Sequence, residues 1–162
     1  MIISIDPGQS GGIAWEHNGR VNSIKMPDTI GDLYNVLVGL GFGKCSCAIE
    51  KVGGYQPGNS GPAAVKFARH CGHLDVALYA AGISTIEVLP ATWEHWLIGK
   101  PNYPKIPKEI NAKERARILA KRKTERKNKI KDTVQRRFPD HKITLATADA
   151  LGILLWSLEN KK

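Results

Sequence analysis

The chain is poor in several things that would tie it to a secreted or membrane setting. Its 162 residues hold three cysteines, an odd number with no disulfide framework in its spacing, so a reducing interior is expected. Cys45 and Cys47 alternate along one strand and Cys71 lies beside His70 and His73, but no second closely spaced pair stands at zinc-finger distance. These thiols read as buried or incidental. No stretch reaches the roughly 18 apolar residues of a membrane span, and the chain opens on a strand without the charged and apolar regions of a signal peptide. The expectation is a cytoplasmic protein with no membrane partner. There is no internal repeat. Acids are the minority charge, 15 Asp and Glu against 24 Lys and Arg, so an acid in apolar company stands out.

Three acids do. Asp6 ends the apolar run Met1–Ile5 and leads into Pro7-Gly8-Gln9-Ser10-Gly11-Gly12. Glu50 ends Cys45–Ile49, and Asp149 stands in the otherwise apolar stretch Ala148–Trp156. Charges at the edge of a core are costly unless paired or bound to metal. Clustered carboxylates suit a hard divalent ion such as magnesium, which takes oxygen ligands and keeps water. Each acid also has a structural explanation. Glu50 could pair with Lys51 or a residue of the basic segment, and Asp149 could be a cap or first-turn acid favoured by the helix dipole. Three coinciding structural acids are less economical than one metal-dependent nuclease site.

The positive charge is concentrated. Residues 100–137 carry 15 Lys and Arg against four acids, a net +11, while the rest of the chain nets −2. Such a stripe is the footprint of a protein that binds a phosphate backbone, whereas a plain solvated helix face more often mixes both signs. Lys113, Arg115, Arg117, Lys121, Arg122 and Lys123 are the candidate phosphate contacts, with Lys51 beside Glu50. Tyr55, among glycines five residues past Glu50, could stack on an unpaired base or pack on the base of its loop. His70, His73 and His95 read as surface or core residues, and Trp93, Trp96 and Trp156 as core.

Local signals give an α/β order. Residues 2–6, about 11–16 and about 20–26 read as strands, with Asn18-Gly19 as a type I′ hairpin signal. Ile30, Leu33, Val36, Leu37 and Leu40 recur at helical spacing. A strand over 45–50, a Gly-rich loop over 53–59, a helix over about 60–81 and a strand over 83–89 follow. Then come a short helix from Pro90 through Trp96, a Pro-rich linker over 99–107, a basic helix over 108–137 and a last helix over 144–159. The pattern implies one mixed sheet covered by helices, and 42% hydrophobic residues suffice for one domain over 1–162.

Ile5-Asp6-Pro7-Gly8 with Ser10-Gly11, Ala48-Ile49-Glu50, and Ala148-Asp149-Ala150-Leu151 together resemble the motifs of the RuvC family of Holliday junction resolvases. The likeness is greatest to compact phage-encoded members and spans nearly the whole chain. It implies an RNase H-like fold, a five-stranded sheet flanked by helices. It further implies a homodimer that cuts two opposed strands of a four-way DNA junction, with two Mg2+ ions per site and Mn2+ able to substitute. By the same resemblance Asp6 bridges the metals, Glu50 and Asp149 each hold one, and the apolar face of helix 60–81 is the dimer interface.

The resemblance also expects a fourth ligand three residues before Asp149, where this chain has Ala146. Asp132 could supply it from elsewhere, the site could work with three carboxylates and a further water, or the acid at 146 has been replaced by Ala. The last is favoured, because Ala-Thr-Ala-Asp departs from the pattern only there. Two rival readings stand beside the nuclease: a non-catalytic branched-DNA-binding protein, and an ATPase of the sugar-kinase and actin type, whose first phosphate loop resembles Asp6–Gly12. The ATPase needs a second domain for which 162 residues leave no room.

Overall fold

Ile2–Asp6 forms β1, buried along nearly its whole length, and the sheet is assembled around it. The structure, a computed structural model, describes residues 1–41, 45–53 and 60–160. β2 (Gly12–His17) pairs antiparallel with β1, and β3 (Arg20–Lys25) pairs antiparallel with β2. Asn18 and Gly19 join them with φ of 51° and 77°, the two positive values a type I′ turn demands. β4 (Ser46–Glu50) lies parallel to β1 on its other side, and β5 (Ser84–Val88) parallel to β4. The strand order is β3-β2-β1-β4-β5. Parallel neighbours require crossovers, and α1 (Ile30–Gly41) and α2 (Gly61–Ala80) lie on them.

Alternation along the strands sorts two cores. Ile3, Ile5, Ile13 and Cys47 face α1 and α2, meeting Leu33, Leu37, Leu74 and Leu78. Ile2, Ala14, Ala48 and Val88 face the other way, toward three helices: α3 (Pro90–Ile98), α4 (Ala112–Arg137) and α5 (Leu145–Glu159). With a period of two, Asp6 follows Ile2 and Ser4 onto the α5 side, and Glu50 follows Ala48 there. The orientation of both acids is therefore a property of the strand pattern.

α5 lies between the sheet and α3 and α4 and buries ten of its residues, which is why its sequence is apolar on every side. Thr144 caps it in a reciprocal box with Thr147, so Asp149 lies beyond the first turn and is no capping acid. Ser4 Oγ donates to the Ala150 carbonyl at 2.7 Å, fastening α5 to the middle of β1. Gly12 permits the close approach of the helix start: a Cβ there would stand 2.6 Å from the Ala146 carbonyl oxygen.

The basic helix is unbroken and begins at Ala112, four residues later than the pattern suggested, because Asn111 accepts from the Glu114 N–H and sets its first turn. Residues 99–111 form no regular element. They are tied to α4 all the same: Tyr103 O–H donates to the Arg122 carbonyl and the Arg122 guanidinium donates to the Pro104 carbonyl, while Lys129 Nζ donates to the Ile98 carbonyl at the end of α3 just before them.

Candidate active site

β1 and β4 are in parallel register, Ile5 opposite Ile49, so Asp6 and Glu50 leave the same edge of the sheet side by side. Asp149 enters from α5, only 7% exposed. All three line one open cleft of about 520 Å³, together with Pro7–Ser10 of the loop after β1, Lys66, Phe67 and His70 of α2, and Lys123, Arg126 and Lys127 of α4. This is the crevice beyond the carboxyl ends of parallel strands, the usual place for a ligand in such sheets.

The acids disturb one another. Burial pushes Asp6 up to about 8, the charges of Asp149 and Glu50 add to the rise, and Lys127 and Arg126 oppose it. Burial likewise raises Glu50 to about 7, against the hydrogen bond that Trp93 Nε1 donates to Glu50 Oε2 at 2.9 Å, while Asp149 and Glu94 raise it further. Asp149 is raised by burial despite Arg126 and Lys127. Nearby carboxylates that resist ionising together create a demand for cation.

The cationic side divides sharply. Of the six expected phosphate contacts on α4, only Lys123 lines the cleft. Lys121 is exposed and 4.0 Å from Glu125, and Arg122 is stacked over the Tyr103 ring at 4.8 Å. Lys113, Arg115 and Arg117 are exposed near the start of α4. At ~1.5 Å per residue they lie roughly 9–15 Å along the axis from Lys123, a distance that serves neighbouring phosphates rather than those at the acids. Lys51 turns to Glu87 of β5 at 2.8 Å, an exposed pair away from the cleft. Tyr55 falls outside the described residues. Ala146 sits half-buried in the first turn of α5 and offers no ligand, and Asp132 is exposed on α4, away from the cleft lining.

Five residues whose place at the site was invisible to pattern reasoning line the cleft or stand behind its acids. Arg126 and Lys127 are two of 15 basic residues in their segment, and nothing in that run marks which ones face the acids. Trp93 is fully buried, as a core tryptophan should be, yet also fixes the Glu50 carboxylate. Glu94 follows it on α3 and pairs with Arg126, whose other Nη stands 4.0 Å from Asp149. His70, read as an ordinary histidine, lines the same cleft with its Nε2 buried and unpartnered among the described residues.

The donor set suits a hard divalent ion: oxygen only, three carboxylates, and charges that a cation would relieve. As the side chains stand, no three His, Cys, Asp or Glu groups among the described residues converge closely enough to ligate one ion. A guanidinium supplies the positive charge beside Asp149. The thiols are not part of any such group either: Cys45, Cys47 and Cys71 are free, and burial raises Cys47 to about 12. Among the described residues no helix is long and apolar enough to cross a membrane.

No family profile and no curated relative matches the sequence. Solved structures do. RuvC of Thermus thermophilus aligns over 95% of this chain and 90% of its own at 16% identity and a TM-score of 0.52. The same organism's RuvC in complex with a Holliday junction substrate aligns over the same shares at 15% identity and a TM-score of 0.55. The chain therefore has the RuvC, RNase H-like fold: a mixed five-stranded sheet with helices on both faces.

Proposed function

We propose that this protein is a structure-selective DNA endonuclease that resolves four-way junctions by divalent-metal-dependent phosphodiester hydrolysis. The observation that carries the reading is the meeting of Asp6, Glu50 and Asp149 in one cleft walled by Lys123, Arg126 and Lys127. The likeness of fold to a RuvC seen with a Holliday junction supports the choice of substrate. We read residues 1–162 as a single nuclease domain, working in the cytoplasm of a bacterial or phage-infected cell.

Asp6, which feels the charges of both other acids, would be shared by two Mg2+ ions, with Glu50 holding one and Asp149 the other. Bound there, the ions would activate water and stabilise the leaving oxygen. The remaining work belongs to the chain. Trp93 holds Glu50 Oε2 in one orientation. Lys123, Arg126 and Lys127 on one wall and Lys66 on the other clamp the backbone without reading bases. Lys113, Arg115 and Arg117 extend the track along α4 toward a second arm. Tyr55, five residues past Glu50 in the sequence, would stack on an unpaired base at the junction centre.

Cutting two opposed strands needs two sites, hence a homodimer. α2 leaves Val65, Val76 and Tyr79 largely exposed, an apolar surface that a second copy would cover. The alternative is a non-catalytic branched-DNA-binding protein, favoured by Ala146 and by the guanidinium beside Asp149.

Synthetic four-way junctions labelled on each strand, incubated with Mg2+, Mn2+ or chelator, separate the readings. Paired nicks that need metal and vanish in Asp6→Asn support the nuclease. Equal cleavage by the unaltered chain and Ala146→Asp would reject the idea of a lost fourth acid. Binding without nicking, in Ala146→Asp as well, would establish the non-catalytic protein instead.

A further inference from the structure

The Glu94–Arg126–Asp149 bridge joins three helices at the edge of the cleft, and two of its members were unforeseen. Glu94 is 16% exposed and its partner Arg126 29%. A carboxylate so far withdrawn from water is costly unless it is paired or bound to metal, and Arg126 pairs this one. Trp93, the residue before it, donates to Glu50, so consecutive side chains of α3 reach Glu50 and, through Arg126, Asp149. Electrostatics agree: burial raises Glu94, Arg126 lowers it and Asp149 raises it again, and Glu94 in turn raises Glu50.

We propose that Glu94 is the fourth carboxylate of the metal centre, supplied by α3, with the Arg126 guanidinium and the ion competing for it. The proposal rests on reading the cleft as a metal-dependent nuclease site. α5 contributes Asp149 alone, since Ala146 carries no oxygen ligand in its side chain. Among the described acids, Glu94 joins Asp149 through a single guanidinium, one nitrogen to each. That guanidinium already occupies a cation position between two carboxylates from different helices. It also lines the cleft where a DNA backbone would lie. An arginine that exchanges carboxylate for phosphate keeps a charge-assisted bidentate partner, so Glu94 and Asp149 can be released to a metal ion without stranding the arginine.

Mn2+ binding to the full chain, followed by the electron paramagnetic resonance of free Mn2+ in the absence of DNA, tests this without reference to cleavage. Glu94→Gln preserves shape and still accepts from Arg126, and should weaken Mn2+ binding about tenfold or more. Arg126→Gln removes the competitor and should bind Mn2+ severalfold more tightly. Adding Glu94→Gln to Arg126→Gln should abolish that gain. Unchanged affinity in Glu94→Gln, or a gain that survives in the double variant, overturns the proposal. A loss of thermal stability in chelator without a change in Mn2+ affinity gives Glu94 a structural role only, which also overturns it. Asp6→Asn separates the two levels: if it too binds Mn2+ normally, the metal-centre reading falls, and if it alone loses binding, only the role of Glu94 does.

Discussion

Replacing Asp6 with Asn should make the metal-free protein more stable, and more so as the pH rises. Asp6 ionises near 3.8 ordinarily and near 8 in the fold, chiefly through burial. The native state thus keeps a proton that the unfolded chain releases. By linkage its stabilising effect is complete below the unfolded value, falls as pH rises, and is gone above about 8. Each unit is worth about 1.4 kcal/mol, so the unaltered chain should lose about 4 kcal/mol through this group between about pH 5 and pH 9. Asn carries no charge and loses none of it. Glu50 imposes a similar decline up to about 7 in both proteins, so the difference between them reports Asp6 together with its coupling to Glu50 and Asp149. Urea unfolding at about pH 5, 7 and 9 in chelator measures that difference. A gap that stays constant with pH, or narrows, refutes the buried-carboxylate account of the cleft. Mg2+ should then reverse the order at the alkaline end, because an ion that binds only the native state stabilises the chain that binds it better.

Three further outcomes follow from the same geometry. Lys123→Ala and Lys127→Ala should each lower the salt dependence of junction binding by about 0.9 in slope per lost phosphate contact, while Lys121→Ala, paired outward with Glu125, should lower it less; filter binding between low and high salt measures this. Trp93→Phe removes the hydrogen bond that holds Glu50 down, so the acid limb of metal-dependent cleavage should move to higher pH, and an unmoved limb would deny Trp93 that role. Gly152→Ala would set a methyl 2.7 Å from Trp93 Cζ3, an overpacking that should cost about 1–3 kcal/mol in urea unfolding.

Much of this was legible in the chain. The Asn18-Gly19 hairpin, the alternation of β1 and β4, and the apolar continuity of α5 are local patterns with local causes, and they placed every strand within a residue or two. They also turned Asp6 and Glu50 to the same face, since a two-residue repeat admits no other outcome once Ile2, Ser4 and Ala48 are committed. α4 was foreseen as a basic helix, but its start was misplaced because the capping role of Asn111 went unrecognised. Within α4 a long run of like charges has no repeat to single out the members that matter. Which of them meets the acids depends on where Ile130 and Val134 seat the helix against α5, and that crossing belongs to side chains far apart in the sequence. The same holds for Trp93 and Glu94, drawn to Glu50 and Asp149 only when α3 packs on Gly152. Amino-acid order alone determined the elements, their faces and the acids at their ends, because those follow from neighbours along the chain. Tertiary packing alone decided which cation stands beside Asp149 and which fourth carboxylate accompanies it, because the contacts that choose them close only after distant helices have docked.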